Sequence, residues 1–278
     1  MKVAAIQMVS ATTLAPNLAS ASALLEQAAG EGAELAVLPE YFCIMGRRDT
    51  DKLALQERFG SGPIQDFLSS TAQRLNLWIA GGTLPLGIDA TQGSDGQPAK
   101  VTNTALVYAP DGRCAARYDK IHLFRFDNGA ERFDESRVLA PGKQPVVFDL
   151  PSRDGHIWRV GMSVCYDLRF PELYRAYARE RADLLLVPSA FTQVTGQAHW
   201  EVLLRARAIE NQAFVAAAAQ GGLHENGRTT WGHSLLVDPW GRVMAQQAAQ
   251  PGVVCSELAI GERQAAHARL PALDHRVL

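Results

Sequence analysis

The sequence predicts an α/β fold with mixed sheets, and three observations predict it. Short apolar runs at Leu35–Leu38, Leu77–Ala80, Val160–Val164 and Leu184–Val187 have the length and unbroken hydrophobicity of strands buried on both faces. Helical periodicity lies between them, at Asn17–Ala29 with Asn17 as N-cap and at Pro63–Leu75 with Pro63 in the first turn. Turn clusters at 108–113, 151–155 and 237–241, each holding Pro, Asp and Gly, sit between strand-like arms and read as hairpins. Antiparallel pairs therefore join the parallel ones in the same sheets.

Hydrophobic residues make up 47% of the 278 and charged residues 20%, the balance of a globular chain able to bury a sizeable core. No shift in composition marks a second domain. One domain is expected over residues 1–260, followed by a tail at 261–278 that loses strand character and packs on the surface or at a subunit interface. The Gly-, Ser- and Gln-rich stretch 89–100 reads as an exposed loop inside the domain. The opening Lys2–Met8 is too short for a signal-peptide core and reads as a first strand.

A net charge of −2 offers no cationic field for nucleic acid or an anionic membrane, and no apolar run reaches the length of a membrane span. Cys43, Cys114, Cys165 and Cys255 are widely spaced without a CxxC pair, as reduced thiols in the cytoplasm would be. The seven histidines form no HExxH or paired ligand spacing, so no metal is expected, and His199 and His233 read as structural groups or substrate contacts. Neither GxGxxG nor a Walker A pattern occurs, so no nucleotide cofactor is expected.

A buried cysteine is by default an inert small hydrophobe. Cys165 differs in its context, because it ends an apolar strand and is followed by a short turn and by Pro171, a residue suited to the first turn of a helix. Such a corner projects a side chain from the carboxyl end of a sheet, with backbone N–H groups close by. A neutral thiol still needs a base. Glu40 follows the strand Leu35–Leu38 and Pro39 and precedes Tyr41-Phe42, an apolar setting that would raise its pKa toward the value a general base requires. Lys120 ends a hairpin arm among aromatic and aliphatic neighbours in a chain with five lysines against twenty-two arginines, and a fixed ammonium there can stabilise an oxyanion. Arg169, just after the corner, is a candidate for gripping a substrate carboxylate. Ser163 fits a serine elbow poorly, since it lies within the strand and the final glycine of GxSxG is absent.

Glu40 after Leu38-Pro39, Lys120 in Tyr118-Asp119-Lys120-Ile121-His122-Leu123-Phe124, and Cys165 in Cys165-Tyr166-Asp167-Leu168-Arg169-Phe170-Pro171-Glu172-Leu173 resemble, in order and spacing, the catalytic segments of the nitrilase superfamily of carbon–nitrogen hydrolases. The resemblance runs from the first strand to about Leu258. It implies a four-layer α-β-β-α sandwich, pairing into a homodimer or higher homo-oligomer, no cofactor, and a small-molecule amide as substrate. It also gives Glu135 a place beside the triad of Glu40, Lys120 and Cys165. Within the superfamily, residues 198–210, Trp231–Ser234, Val237–Gly241 and Pro188–Thr192 are most similar to the amidases of deaminated glutathione, which implies that Phe191, Thr192 and His199 lie near the substrate. Segment 125–130 departs from the family pattern and would line the pocket entrance.

The chemistry so implied begins with Glu40 accepting the Cys165 proton while sulfur attacks an amide carbonyl, with Lys120 and the Tyr166 N–H holding the oxyanion. A thioester then hydrolyses, which for deaminated glutathione releases 2-oxoglutarate and cysteinylglycine. The alternatives are an ω-amidase acting on 2-oxoglutaramate or related small amides, an N-carbamoyl or nitrile hydrolase, and an inactive interaction protein that keeps the fold.

Overall fold

Alternation along the first strand, Lys2–Gln7, decides the layering of the molecule. Val3 and Ala5 join a core that lies against a second sheet, whereas Ala4 and Ile6 join a separate core against helices. The next strand, Leu35–Val37, divides in the same way, with Leu35 and Val37 on one side and Ala36 on the other. The computed structural model describes residues 1–88, 100–127, 129 and 132–277. Most of the loop expected at 89–100, and parts of segment 125–130, lie outside the described residues.

The first sheet runs in the order Gly252–Glu257, Lys2–Gln7, Leu35–Val37, Trp78–Ala80, Val101–Tyr108, Leu84–Gly87, and Cys114–Asp119 and Leu139–Ala140 also pair with Val101–Tyr108. The second runs Val147–Pro151, Ile157–Met162, Leu184–Leu186, Phe214–Ala217, Leu235–Val237, Val243–Gln246. Each has a parallel centre of three strands flanked by antiparallel pairs, and in the first sheet Leu139–Ala140 adds a short parallel pair to Val101–Tyr108. The three turn clusters close antiparallel pairs, as their residues predict.

Helices α1 (Leu14–Gly30) and α2 (Pro63–Leu75) cover the outer face of the first sheet through Ala21, Leu25, Ile64, Leu68 and Ala72. Helices α3 (Pro171–Arg179) and α4 (Gln193–Asn211) bring Tyr174, Tyr177, Trp200 and Leu204 to the second sheet, where Gly161 leaves room for the Tyr177 ring. The result is the α-β-β-α sandwich. Asn17 does not cap α1, which starts three residues earlier with Thr13 at the N-cap. Its side chain points back along the helix and holds the incoming chain, accepting from the Ala11 amide at 2.6 Å and donating to the Ala11 and Cys43 carbonyls at 3.0 and 2.9 Å. A fifth helix, α5 (Ile260–Arg269), packs back on the second sheet's helical layer, with Arg263 paired to Asp183 at 3.2 Å and His267 bonded to Gln212 at 2.8 Å.

The parallel strands place their carboxyl ends together, so the segments following Val37 in one sheet and Met162 in the other leave from the same edge of the sandwich. Leu35, fully buried between the sheets, reports on that packing. Leu35→Ala is expected to lower stability by about 2–5 kcal/mol, read from urea unfolding.

Candidate active site

Three loops converge at that edge. Glu40 lies just beyond the strand Leu35–Val37, and its neighbour Tyr41 takes a left-handed backbone conformation (φ 58°) fixed by an amide bond to the Thr83 hydroxyl at 2.8 Å. The loop can sit so low because Gly82, also at positive φ, has no side chain to overlap the Pro39 carbonyl. Lys120 follows Cys114–Asp119, and its amide donates to the Asn103 carbonyl at 2.9 Å. Cys165 opens a 3₁₀ turn, Cys165–Arg169, in a left-handed conformation (φ 50°), with its amide bonded to the Pro188 carbonyl at 2.9 Å. That strained corner, followed by α3, is the strand–turn–helix elbow the sequence predicts.

Buried Asp167 anchors the elbow. It accepts from the Val164 amide at 2.9 Å, the Tyr118 hydroxyl at 2.6 Å, and the backbone and ring nitrogens of His122 at 3.0 and 2.7 Å. Arg207, from α4, clamps the Leu168 carbonyl with two donors at 3.1 and 2.8 Å. Thus the turn is held by both sheets and by the helix layer.

The Lys120 ammonium is fully buried and donates to Glu40 Oε1 at 2.9 Å and to both Glu135 oxygens at 3.0 and 2.8 Å. Glu40 is 1% exposed and takes a second bond from Asn103 at 2.9 Å. Its carboxylate and the Cys165 thiol line the same cavity, close enough to shift each other's pKa. Glu135 accepts in addition from the Tyr41 hydroxyl and the Phe124 amide, each at 2.7 Å.

Electrostatics separate the two carboxylates. Burial, with some help from Glu135, raises the Glu40 carboxyl above its ordinary value despite Lys120. Burial pushes Glu135 the same way, but Lys120 overcomes it and holds that carboxyl below the usual range. Burial opposes the charge on Lys120, yet Glu135 and Glu40 keep its pKa well above that of an ordinary lysine. Cys165 is pushed well up by burial and by Glu40, so it rests as a thiol beside a carboxylate suited to take its proton.

Glu40, Tyr41, Glu135, Cys165 and Ala190 line one cavity, with Lys120 bonded to its two carboxylates. Phe124, Tyr166, Arg169, Phe191, Thr192, Thr195 and Arg228 complete its lining. Tyr166 is the second residue of the 3₁₀ turn, where an amide has no partner within the turn. Arg169 lies over the Phe191 and Tyr166 rings, at 5.4 and 5.9 Å from their centres. His199 is not brought in: it sits on the exposed face of α4 and meets the site only through Arg169 at 3.3 Å. His233, left open as structural or substrate-contacting, stacks on Trp231 and gives its carbonyl to Trp200. Sequence reasoning missed Asn103, Asp167, Thr195 and Arg228. For Arg228 the one available signal was its place after the Asn226-Gly227 turn. Among the described residues no group of His, Cys, Asp and Glu side chains is arranged to hold a metal, and no helix is long and apolar enough to cross a membrane.

The carbon-nitrogen hydrolase family model matches residues 2–268. A deaminated glutathione amidase of Synechocystis is 40% identical over 276 residues, 99% of this chain and 97% of that protein. The omega-amidase NIT2 of Danio rerio is 36% identical over 258 residues, 92% and 87% of the two chains. Among solved structures, yeast Nit3, described as a nitrilase-superfamily member, superposes with a TM-score of 0.86 at 28% identity, covering 100% of this chain and 97% of that one. A mutant amidase of Nesterenkonia, with acrylamide added at its active-site cysteine, gives a TM-score of 0.74 at 27% identity over 98% of each chain.

The direction of the Glu40 shift has a consequence for stability. A carboxyl raised on folding favours the native state when protonated and loses that contribution as pH rises from the ordinary value of 4.5 through the folded pKa. Glu40→Gln, which mimics the protonated form, is therefore expected to unfold at a higher temperature than the parent at pH 7.5, with the difference shrinking toward pH 4.5. A variant that melts lower at pH 7.5 contradicts the shift.

Proposed function

This chain belongs to the carbon–nitrogen hydrolase family, and from that premise we propose that it is a cysteine-dependent amidase whose substrate is deaminated glutathione. The observation that carries the reading is the buried cluster itself. A thiol with a raised pKa lies beside a carboxylate with a raised pKa, and a buried ammonium is bonded to that carboxylate.

In the proposed reaction Glu40 takes the Cys165 proton as sulfur attacks the amide carbonyl. The developing oxyanion is held by the Lys120 ammonium and the Tyr166 N–H. Collapse breaks the carbon–nitrogen bond, and the amine leaves with the proton carried by Glu40. Water, deprotonated by the same carboxylate, then attacks the thioester and releases the acid and the thiol. Glu135 acts as a positioning residue, since its two oxygens hold Lys120 and accept from Tyr41. Arg169, with Thr192 and Phe191 beside it, is assigned to the carboxylate of the oxoglutaryl group. His199 would act there through Arg169.

Hydrolysis of 2-oxoglutaramate, with ammonia as leaving group, is the second reading, favoured by the similarity to the Danio rerio omega-amidase. The four free thiols agree with a reducing compartment, and we assign the protein to the cytoplasm on that ground. We also assign it a homodimeric or larger state. Supporting this, exposed Val194, Val202 and Ile209 lie along one side of α4, beside exposed Trp240.

With deaminated glutathione as substrate, intact mass spectrometry should detect an acyl adduct on the parent enzyme and none on Cys165→Ala, whose turnover should fall by roughly a thousandfold or more. Undiminished turnover in that variant removes Cys165 from the mechanism. Measuring ammonia and cysteinylglycine separately ranks the two substrates, and faster release of ammonia from 2-oxoglutaramate makes the small amide the preferred one. Sedimentation should yield at least twice the 30.2 kDa of one chain.

A further inference from the structure

Tyr41 and Arg228 stand in the walls of two neighbouring cavities. One is the cavity before Cys165; the walls of the other include Tyr41, Met45, Arg48, Asp49, Lys52 and Arg228. Arg169 lines the first and not the second, so of the two arginines only Arg228 borders both.

The second cavity is a fastened structure. Arg228 stands on the hairpin Gly221–Leu223/Thr229–Trp231, whose turn residue Asn226 donates to the carbonyls of Met45 and Gly46 at 3.2 and 2.7 Å. The base of the hairpin is pinned by buried His224, between the Ser10 carbonyl at 3.0 Å and the Thr230 hydroxyl at 2.8 Å. The opposite wall is tied to the catalytic cluster, because Tyr41 bonds Glu135.

Its charge is one-sided: Arg48, Lys52 and Arg228 face the single acid Asp49. Arg48 is engaged by Asp51 at 3.3 Å. Among the described residues Lys52 and Arg228 pair with no carboxylate. The Lys52 ammonium is 3.5 Å from the Tyr41 hydroxyl and 4.6 Å from its ring centre, and Arg228 lies 4.8 Å from the Phe133 ring centre. Burial holds the Lys52 ammonium below its ordinary pKa against the opposing pull of Glu135, Asp49 and Glu40, none of which comes within ion-pair distance. An incoming anion would add a direct partner.

An amide places its acyl group on one side of the reacting carbon and its amine on the other. With the acyl group assigned to Arg169, the amine is left to extend toward Tyr41 and Arg228. We propose that the second cavity is the leaving-group subsite, and that Arg228 and Lys52 recognise a carboxylate at the far end of the departing amine, as an amino acid or short peptide carries. This rests on the amidase reading above and deepens it. Ammonia would leave the subsite unused, so this cavity separates peptide-like amides from unsubstituted ones.

The test compares two oxoglutaryl amides that differ at one group, one releasing cysteinylglycine and the other cysteinylglycinamide, with the common 2-oxo acid product measured for both. The parent enzyme should prefer the free carboxylate in kcat/KM by about tenfold or more. Arg228→Gln should bring the ratio close to one, and Arg228→Lys should restore part of it. Equal rates for the two substrates in the parent enzyme, or a ratio unchanged in Arg228→Gln, overturn the subsite and leave the amidase reading standing. Failure to hydrolyse either substrate, together with no acyl adduct on Cys165, overturns both.

Discussion

The buried ammonium of Lys120 holds two carboxylates together, and the arrangement at the sheet edge depends on it. Without that charge Glu40 and Glu135 would repel each other in a medium that screens poorly, and losing the cation they share would cost several kcal/mol. Lys120 does more than neutralise. By binding both oxygens of Glu135 it holds that carboxyl below the usual range, while Glu40, bound through one oxygen, is left with a raised pKa beside the Cys165 thiol. Two chemically similar side chains thereby acquire different proton affinities.

Such a cluster is stable only if the backbone around it cannot relax. The sandwich supplies that rigidity from two sides, because Glu40 and Lys120 leave the first sheet and Cys165 leaves the second. Asp167 links them, binding the elbow at Val164, Tyr118 of the first sheet and His122 beyond Lys120. The left-handed backbones at Tyr41 and Cys165 are strained positions held by these bonds, as expected where geometry serves chemistry. Gly142 shows the same close packing: its amide bonds the Lys120 carbonyl at 2.8 Å, and a side chain there would overlap the Asp119 carbonyl.

The wall facing this cluster is built differently. Tyr41 and Arg228 come from a loop and a two-stranded hairpin fastened to each other by Asn226, with cationic side chains that among the described residues lack acidic partners. Lys120 and Glu135 are thus held by several charged hydrogen bonds, whereas the cations around the second cavity have no carboxylate partner among the described residues except Arg48. That contrast suits a division between chemistry and recognition.

Much of the fold was written in local pattern. Apolar runs specified the central strands, Pro63 the start of α2, and three Pro-, Asp- and Gly-bearing turns the hairpins, because each depends on contacts within a few residues. Cys165, Glu40 and Lys120 were legible for the same reason, each ending a strand-like segment. Asn17 was misread because its buried polar partners, Ala11 and Cys43, are supplied by the path of the chain outside the helix. Glu135 lies in a short 3₁₀ turn between charged neighbours and has a surface-like local sequence; only the arrival of Lys120 makes it part of a buried ion cluster. Asn103 gave no local sign, Arg228 only its place after the Asn226-Gly227 turn, and Asp167 nothing of its bond to Tyr118, because Glu40 lies 63 residues from Asn103 and Tyr118 lies 49 from Asp167. Periodicity and turn chemistry in the sequence specified helices and mixed sheets, and the likeness to carbon–nitrogen hydrolases implied the four layers and the set of Glu40, Lys120 and Cys165. Tertiary structure alone decided which carboxyl has its pKa raised and which lowered, and which cations among the described residues lack a carboxylate partner, because burial and distance between remote segments set both.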